Sequence, residues 1–155
     1  MSELSDRLQT DLVTAMKAHD AVTLSTLRMT IAAIRNEQVA GKEAKVLTQA
    51  EAITVVNREV AKRRDSAQAY TAGDRPELAA KELTEVEVLQ RYLPTALTEE
   101  ELDAMVAEEV SAAAASTGGA PTMKQMGLVI KAVNARAAGR AEGAKVAAKV
   151  KAALA

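Results

Sequence analysis

Apolar residues recur at intervals of three and four along nearly all of this 155-residue chain, and this period constrains the fold more than any other feature. Such spacing places the apolar side chains on one face of an α-helix. The strict apolar–polar alternation of a half-buried strand is absent. The sequence therefore predicts an all-α protein. The first stripe consists of Leu4, Leu8, Leu12 and Met16.

Capping boxes mark where several helices begin, because a side chain at the helix start and an acid three residues later satisfy each other's free amides. Three such boxes predict helix starts at Thr48, Asp74 and Thr98. Glycine and proline supply the predicted stops, among them Gly73 and Gly139. Together these signals predict seven helices.

The predicted domain boundary lies in the short segment 93–98, which contains the helix-ending Pro94. Four helices are predicted before it and three shorter ones after it. Short connections are usual between packed helices. We therefore expect an N-terminal helical domain of about four helices over residues 1–94 and a C-terminal three-helix bundle over residues 95–155.

Composition argues against most catalytic chemistry. Cysteine is absent and His19 is the only histidine, so thiolate chemistry and a histidine-based metal site lack their residues. His19 is expected to end the first helix, where a histidine interacts favourably with the helix dipole. The acids around Glu85 and the basic run around Arg63 read as solvated helix faces. No catalytic residues, metal site or cofactor are predicted.

The N-terminal stretch is polar and acidic, without the basic and apolar regions of a signal peptide. No apolar run approaches the length that crosses a bilayer. We expect a cytoplasmic protein with no membrane partner.

Charge is separated by segment in the last third of the chain. All charged residues of segment 95–117 are acidic, whereas those of segment 118–155 are basic except Glu142. A short basic helical surface is a candidate site for a polyanion, of which RNA is the commonest; no DNA partner is expected. No aromatic residue is available there to stack on bases, so contact with the RNA backbone is expected. The candidate RNA-binding residues are Lys124, Lys131, Arg136, Arg140, Lys145 and Lys149.

A second interpretation of the same pattern stays open. The basic side chains of the sixth and seventh helices would instead face the acidic fifth helix and neutralise it. The two interpretations differ in whether these cations are free to meet phosphate.

Several segments, in order along nearly the whole chain, resemble the GatB/YqeY family. The most specific are Lys62-Arg63-Arg64-Asp65-Ser66, Tyr92-Leu93-Pro94 and Gly139-Arg140-Ala141-Glu142-Gly143. Arg28-Met29, Arg58-Glu59, the Glu82–Gln90 spacing and Met126-Gly127 also fit the pattern.

The resemblance implies an all-helical protein whose C-terminal part is similar to the tail of the B subunit of the tRNA-dependent amidotransferase. That enzyme amidates glutamyl-tRNA(Gln) or aspartyl-tRNA(Asn) with glutamine as nitrogen donor, a carbon–nitrogen ligase activity. The chain lacks room for the domain that activates the aminoacyl end. We therefore expect a non-catalytic tRNA-binding or accessory module, with tRNA and an amidotransferase-like protein as candidate partners. The alternatives are a protein-interaction module without RNA binding and an amide-transfer enzyme subunit.

Overall fold

The computed structural model of the chain describes all residues from Met1 to Ala155, and it contains helices but no strands. The prediction of an all-α protein is confirmed. None of the helices combines the length and apolar character needed to cross a bilayer. The seven helices are α1 (Glu3–Lys17), α2 (Ala21–Val39), α3 (Gln49–Ala72), α4 (Pro76–Gln90), α5 (Glu99–Thr117), α6 (Met126–Ala137) and α7 (Gly143–Leu154).

The chain divides into two compact units between Leu93 and Pro94. The N-terminal unit, Met1–Leu93, contains α1 to α4. The C-terminal unit, Pro94–Ala155, contains α5 to α7 and the 3-10 turn Met123–Gln125. Each unit has a hydrophobic core of its own.

Leucine and β-branched residues fill the core of the N-terminal unit. Within it α3 packs against α4, and α1 packs against α2. Leu8, Leu27, Val56 and Leu89 are completely buried, one from each helix. Burying a side chain of this size stabilises a fold by about 1.5–3 kcal/mol relative to leaving it exposed. These four residues therefore tie all four helices to one core.

The core of the C-terminal unit is built mainly from valine. Helices α5, α6 and α7 each pack against the other two. Leu102, Val133, Val146 and Val150 have at most 1% of their surface exposed. Small side chains bring the three helix backbones close together, and this closeness also brings the surface charges of neighbouring helices within reach of one another.

Two of the three predicted capping boxes are confirmed. The Thr48 side chain accepts from the Glu51 amide, and the Glu51 carboxylate accepts from the Thr48 amide. Thr98 and Glu101 form the same reciprocal pair at the start of α5.

The third box and the end of α6 differ from prediction. Asp74 has a left-handed backbone, φ 56°, so Arg75 becomes the residue that precedes α4, and no side chain caps that helix. Asp tolerates left-handed φ better than most residues, because its short side chain can bond locally. Ala138, φ 48°, ends α6 one residue before the predicted Gly139. His19, φ 55°, lies just after α1 as expected, and its amide donates to the Met16 carbonyl oxygen at 3.3 Å.

Candidate binding site

Four of the six candidate RNA-binding side chains point at the acidic face of α5. Arg136 on α6 pairs with Glu108 at 2.7 Å and with Glu109 at 3.1 Å. The hydrogen bonds to Glu108 and then Glu109 raise the pKa of Arg136. Lys149 on α7 pairs with Asp103 at 2.5 Å and Glu99 at 2.8 Å. These cations are held by carboxylates of the same unit.

Lys145 and Arg140 complete the set of paired residues. Lys145 forms an ion pair with Glu99, and Lys145 and then Lys149 lower the pKa of Glu99 to about 2. Arg140, in the turn before α7, donates from Nε to the Thr95 carbonyl oxygen at 2.8 Å and lies 3.9 Å from a Glu101 carboxylate oxygen. Arg136, Arg140, Lys145 and Lys149 therefore have the arrangement of the second interpretation, in which the basic side chains face the acidic fifth helix. The physical reason is that α5 packs against both α6 and α7.

Lys124 and Lys131 form no ion pair. Both are exposed, and Leu128 between them on α6 has 63% of its surface exposed. Two lysines are a much smaller surface than the six predicted. Contact of any of the six residues with RNA stays a prediction, and the ion pairs reduce the charge available for it.

The basic run Lys62–Arg64 is not a solvated surface throughout. The side chain of Arg63 is only 4% exposed. Its Nη1 donates to the Glu59 carboxylate at 2.7 Å, and its Nε donates to the Glu85 carboxylate at 2.9 Å. Burial works to lower the pKa of Arg63, but the two carboxylates outweigh it and the pKa is raised. This buried triad joins α3 to α4 and lies outside the surface recesses described below.

A second polar contact ties α1 to the end of α4. The Tyr92 hydroxyl donates to the Asp11 carboxylate at 2.6 Å, and the Arg7 guanidinium lies 4.8 Å from the centre of the Tyr92 ring. Burial, followed by the hydrogen bond to Asp11, raises the pKa of Tyr92. The Tyr-Leu-Pro segment that resembles the family pattern thus begins with a residue that anchors the N-terminal unit.

A concave surface of the N-terminal unit lies between α1 and α2, and we call it the α1–α2 groove. It consists of two adjoining recesses that share Gln9, Ile31 and Arg35. The short turn between α1 and α2 makes the two helices antiparallel neighbours. The other lining residues are Leu12, Arg28, Ala32 and Asn36 in one recess and Met1, Ser5, Leu8, Ile34 and Gln38 in the other.

Two exposed arginines give this groove its charge. Arg28 and Arg35 both lie on α2, seven residues apart, so they share one face of the helix. Neither forms an ion pair, and no carboxylate lines either recess. Unlike Arg63 and Arg136, these guanidinium groups have no carboxylate partner within the chain and can pair with an external anion.

Sequence reasoning missed this groove as a site. Arg28 appeared only within the family resemblance, and Arg35 was not singled out. The available signal was the seven-residue spacing of two arginines beside the apolar stripe that contains Ile31. No group of three or more acidic, histidine or cysteine side chains is positioned to bind a metal ion.

A family model described as YqeY-like protein matches residues 5–154. The chain belongs to the YqeY family. This match does not connect the chain directly to the amidotransferase B subunit.

Curated relatives matched by part of the chain are fungal proteins named "Altered inheritance of mitochondria protein 41, mitochondrial". The Candida glabrata protein is 30% identical over 86 residues, which cover 56% of this chain and 47% of the relative. The Kluyveromyces lactis protein is 32% identical over 104 residues, which cover 65% of this chain and 55% of the relative. A Saccharomyces cerevisiae protein is 29% identical over 96 residues, which cover 62% of this chain and 51% of the relative. The chain thus spans about half the length of these relatives.

These names contradict two predictions. The relatives are named as mitochondrial proteins, which contradicts the expected cytoplasmic location. They are named for mitochondrial inheritance and not for amide transfer or tRNA, which contradicts the expected role as an amidotransferase-related tRNA-binding or accessory module.

Proposed function

We propose that this chain is a non-catalytic binding protein whose α1–α2 groove holds an anionic segment of a macromolecular partner. One observation carries the proposal: Arg28 and Arg35 line a concave surface without any carboxylate to neutralise them. An unpaired guanidinium presents a planar array of donors that matches carboxylate and phosphate oxygens.

Contrast with the C-terminal unit supports this choice of site. There the most strongly basic helix, α7, has two of its lysines in ion pairs with Glu99. Segment 94–155 contains seven basic and seven acidic residues and is neutral overall. A polyanion would have to compete with those intramolecular carboxylates, whereas it would meet no such competitor at Arg28 or Arg35.

Anisotropy titrations with fluorescent polyglutamate and a fluorescent RNA oligonucleotide test the proposal. We expect at least one of these polyanions to bind, with affinity that falls as salt is raised. Arg28→Glu/Arg35→Glu should abolish that binding. Lys42→Glu/Lys81→Glu is the matched control, because it reverses two exposed, unpaired cations of the same unit away from the groove.

Loss of binding in the groove variant but not in the control supports the proposal. Equal loss in both would show that only net charge matters, and failure of the wild type to bind either polyanion would refute the proposal. Far-UV circular dichroism checks that each variant remains helical.

We also propose that the two units are independent domains, a four-helix N-terminal domain over residues 1–94 and a C-terminal three-helix bundle over residues 95–155. Separate hydrophobic cores support this division. Each segment expressed alone should unfold cooperatively on heating. A segment that gives no cooperative transition would contradict its assignment as a domain.

A further inference from the structure

The α1–α2 groove has the shape of a binding site for a third helix. Two antiparallel helices that pack side by side leave a furrow along their shared surface, and an amphipathic helix can lie in such a furrow with its apolar face inward. Leu12 of α1 and Ile31 of α2 provide apolar lining in the same recess as Arg28 and Arg35. The groove therefore offers an apolar floor beside two cations.

The apolar stripe of α1 continues beyond the part that the N-terminal unit buries. Leu8 is fully buried, Leu12 is half-buried, and Met16 has 49% of its surface exposed. These residues follow at four-residue steps and share one helix face. The exposed end of the stripe is a methionine, whose flexible side chain adapts to a partner surface. The apolar face of an added helix would cover the exposed end of this stripe.

The arginine spacing matches acidic residues on a neighbouring helix. Seven residues along α2 correspond to two turns, so Arg28 and Arg35 are separated by roughly 10.5 Å along the helix axis. Carboxylates seven residues apart on a helix lying beside α2 have the same separation. Apolar residues three and six positions after each carboxylate would lie on one side of the acidic pair and face the groove floor.

We propose that the α1–α2 groove binds an amphipathic helix of another protein that carries acidic residues seven positions apart on the edge of its apolar face. This proposal rests on the proposed function and names the class of partner. RNA fits the same surface less well, because phosphates gain nothing from the apolar lining at Leu12 and Ile31. No aromatic side chain lines the groove to stack on a base.

Designed peptides test this inference directly. The probe is an amphipathic peptide of about 20 residues, long enough to form a helix, with glutamates seven apart and leucines at the third and sixth positions after each glutamate. A control peptide of identical composition has its glutamates on the opposite face. We expect the probe to bind wild-type protein at least about tenfold more tightly than the control peptide, because only the probe presents charge and apolar surface together.

Exchanging the charges of the groove and of the peptide provides the strictest test of the proposal. Arg28→Glu/Arg35→Glu should weaken binding of the probe by about tenfold or more. A peptide with lysine in place of both glutamates should then bind this variant better than it binds the wild type. Lys42→Glu/Lys81→Glu should leave probe affinity within about twofold of wild type, since neither lysine lines the groove. Met16 lies one helical turn beyond the lining residue Leu12, and Met16→Ser should weaken binding of the probe without changing the salt dependence of that binding.

The outcomes separate this inference from the proposed function. Probe binding without rescue by the lysine peptide, or equal binding of the two glutamate peptides, would overturn the helix proposal. Groove-dependent binding of RNA or polyglutamate with no binding of the probe would also overturn it, yet would leave the proposed function standing. Failure of every polyanion and peptide would refute both.

Discussion

Removing the guanidinium group of Arg63 should be the most destabilising single change at a polar residue of the N-terminal unit. In the Arg63→Met variant the Glu85 carboxylate, whose side chain is 9% exposed, loses its ion-pair partner. Glu59, at 12% exposure, keeps Lys62 at 3.7 Å. Breaking a buried ion pair from one side costs about 3–5 kcal/mol. Because one of the two acids keeps a cation nearby, we expect about 3 kcal/mol.

Urea unfolding followed by tyrosine fluorescence measures this cost selectively. Both tyrosines of the chain, Tyr70 and Tyr92, lie in the N-terminal unit, and tryptophan is absent. The signal therefore reports on that unit alone. The change in midpoint, at an unchanged denaturant dependence, gives the difference in the free energy of unfolding.

Two further variants make the reasoning refutable. Arg58→Met breaks an exposed ion pair with Glu37, and such pairs contribute at most about 1 kcal/mol. Arg63→Met/Glu85→Leu removes the stranded carboxylate and should recover most of the lost stability. A cost for Arg63→Met no larger than that of Arg58→Met, or no recovery in the double variant, would contradict the account of the triad.

Three other predictions concern local structure. Gly118 has φ 72° with open space around it, so Gly118→Ala should cost about 1–2 kcal/mol in urea unfolding followed by circular dichroism, while Gly119→Ala should be nearly neutral. In a Tyr70→Phe variant, absorbance titration should place the pKa of Tyr92 above 10. The stabilising contribution of the Tyr92 hydroxyl is complete below pH 10 and is lost as pH rises through the raised pKa. The hydrogen bonds from Lys45 and then from Thr48 lower the pKa of Glu51 to about 2, so Glu51→Gln should reduce the thermal midpoint at pH 7 and make progressively less difference as pH falls from about 4.5 toward 2.

Helix starts were predictable where a local reciprocal pair defines them. Thr48 and Thr98 each meet a glutamate three residues later, and both boxes form. Asp74 presents the same sequence pattern, but it takes the left-handed conformation itself, so its side chain is not placed to cap α4. A capping motif specifies which groups can bond, while the turn that precedes the helix decides whether they do.

The charge pattern of the C-terminal unit was visible in the sequence, but its consequence was not. Whether Arg136 and Lys149 face solvent or α5 depends on how three helices pack, and that packing brings Glu99, Asp103 and Glu108 within bonding distance. Burial of Arg63 was hidden for the same reason, because its partner Glu85 lies on a different helix. Side-chain pairing across helices is a tertiary property that periodicity does not reveal.

The α1–α2 groove could be predicted only in part. The spacing of Arg28 and Arg35 places both on one face of α2 from sequence alone. The recess beside them requires Gln9 and Leu12 of α1, whose position follows from the packing of the hairpin. The two features become a candidate site only when they are seen together.

Mapping the binding surface by NMR tests the central claim most directly. Amide shifts of the ¹⁵N-labelled 155-residue chain would be followed during titration with the acidic amphipathic peptide. We predict that the largest changes lie along α1 and α2, centred on Arg28, Ile31 and Arg35, and disappear in Arg28→Glu/Arg35→Glu. Changes concentrated instead in the C-terminal unit around Lys124 and Lys131, or spread evenly over both units, would contradict the assignment of the groove as the binding site.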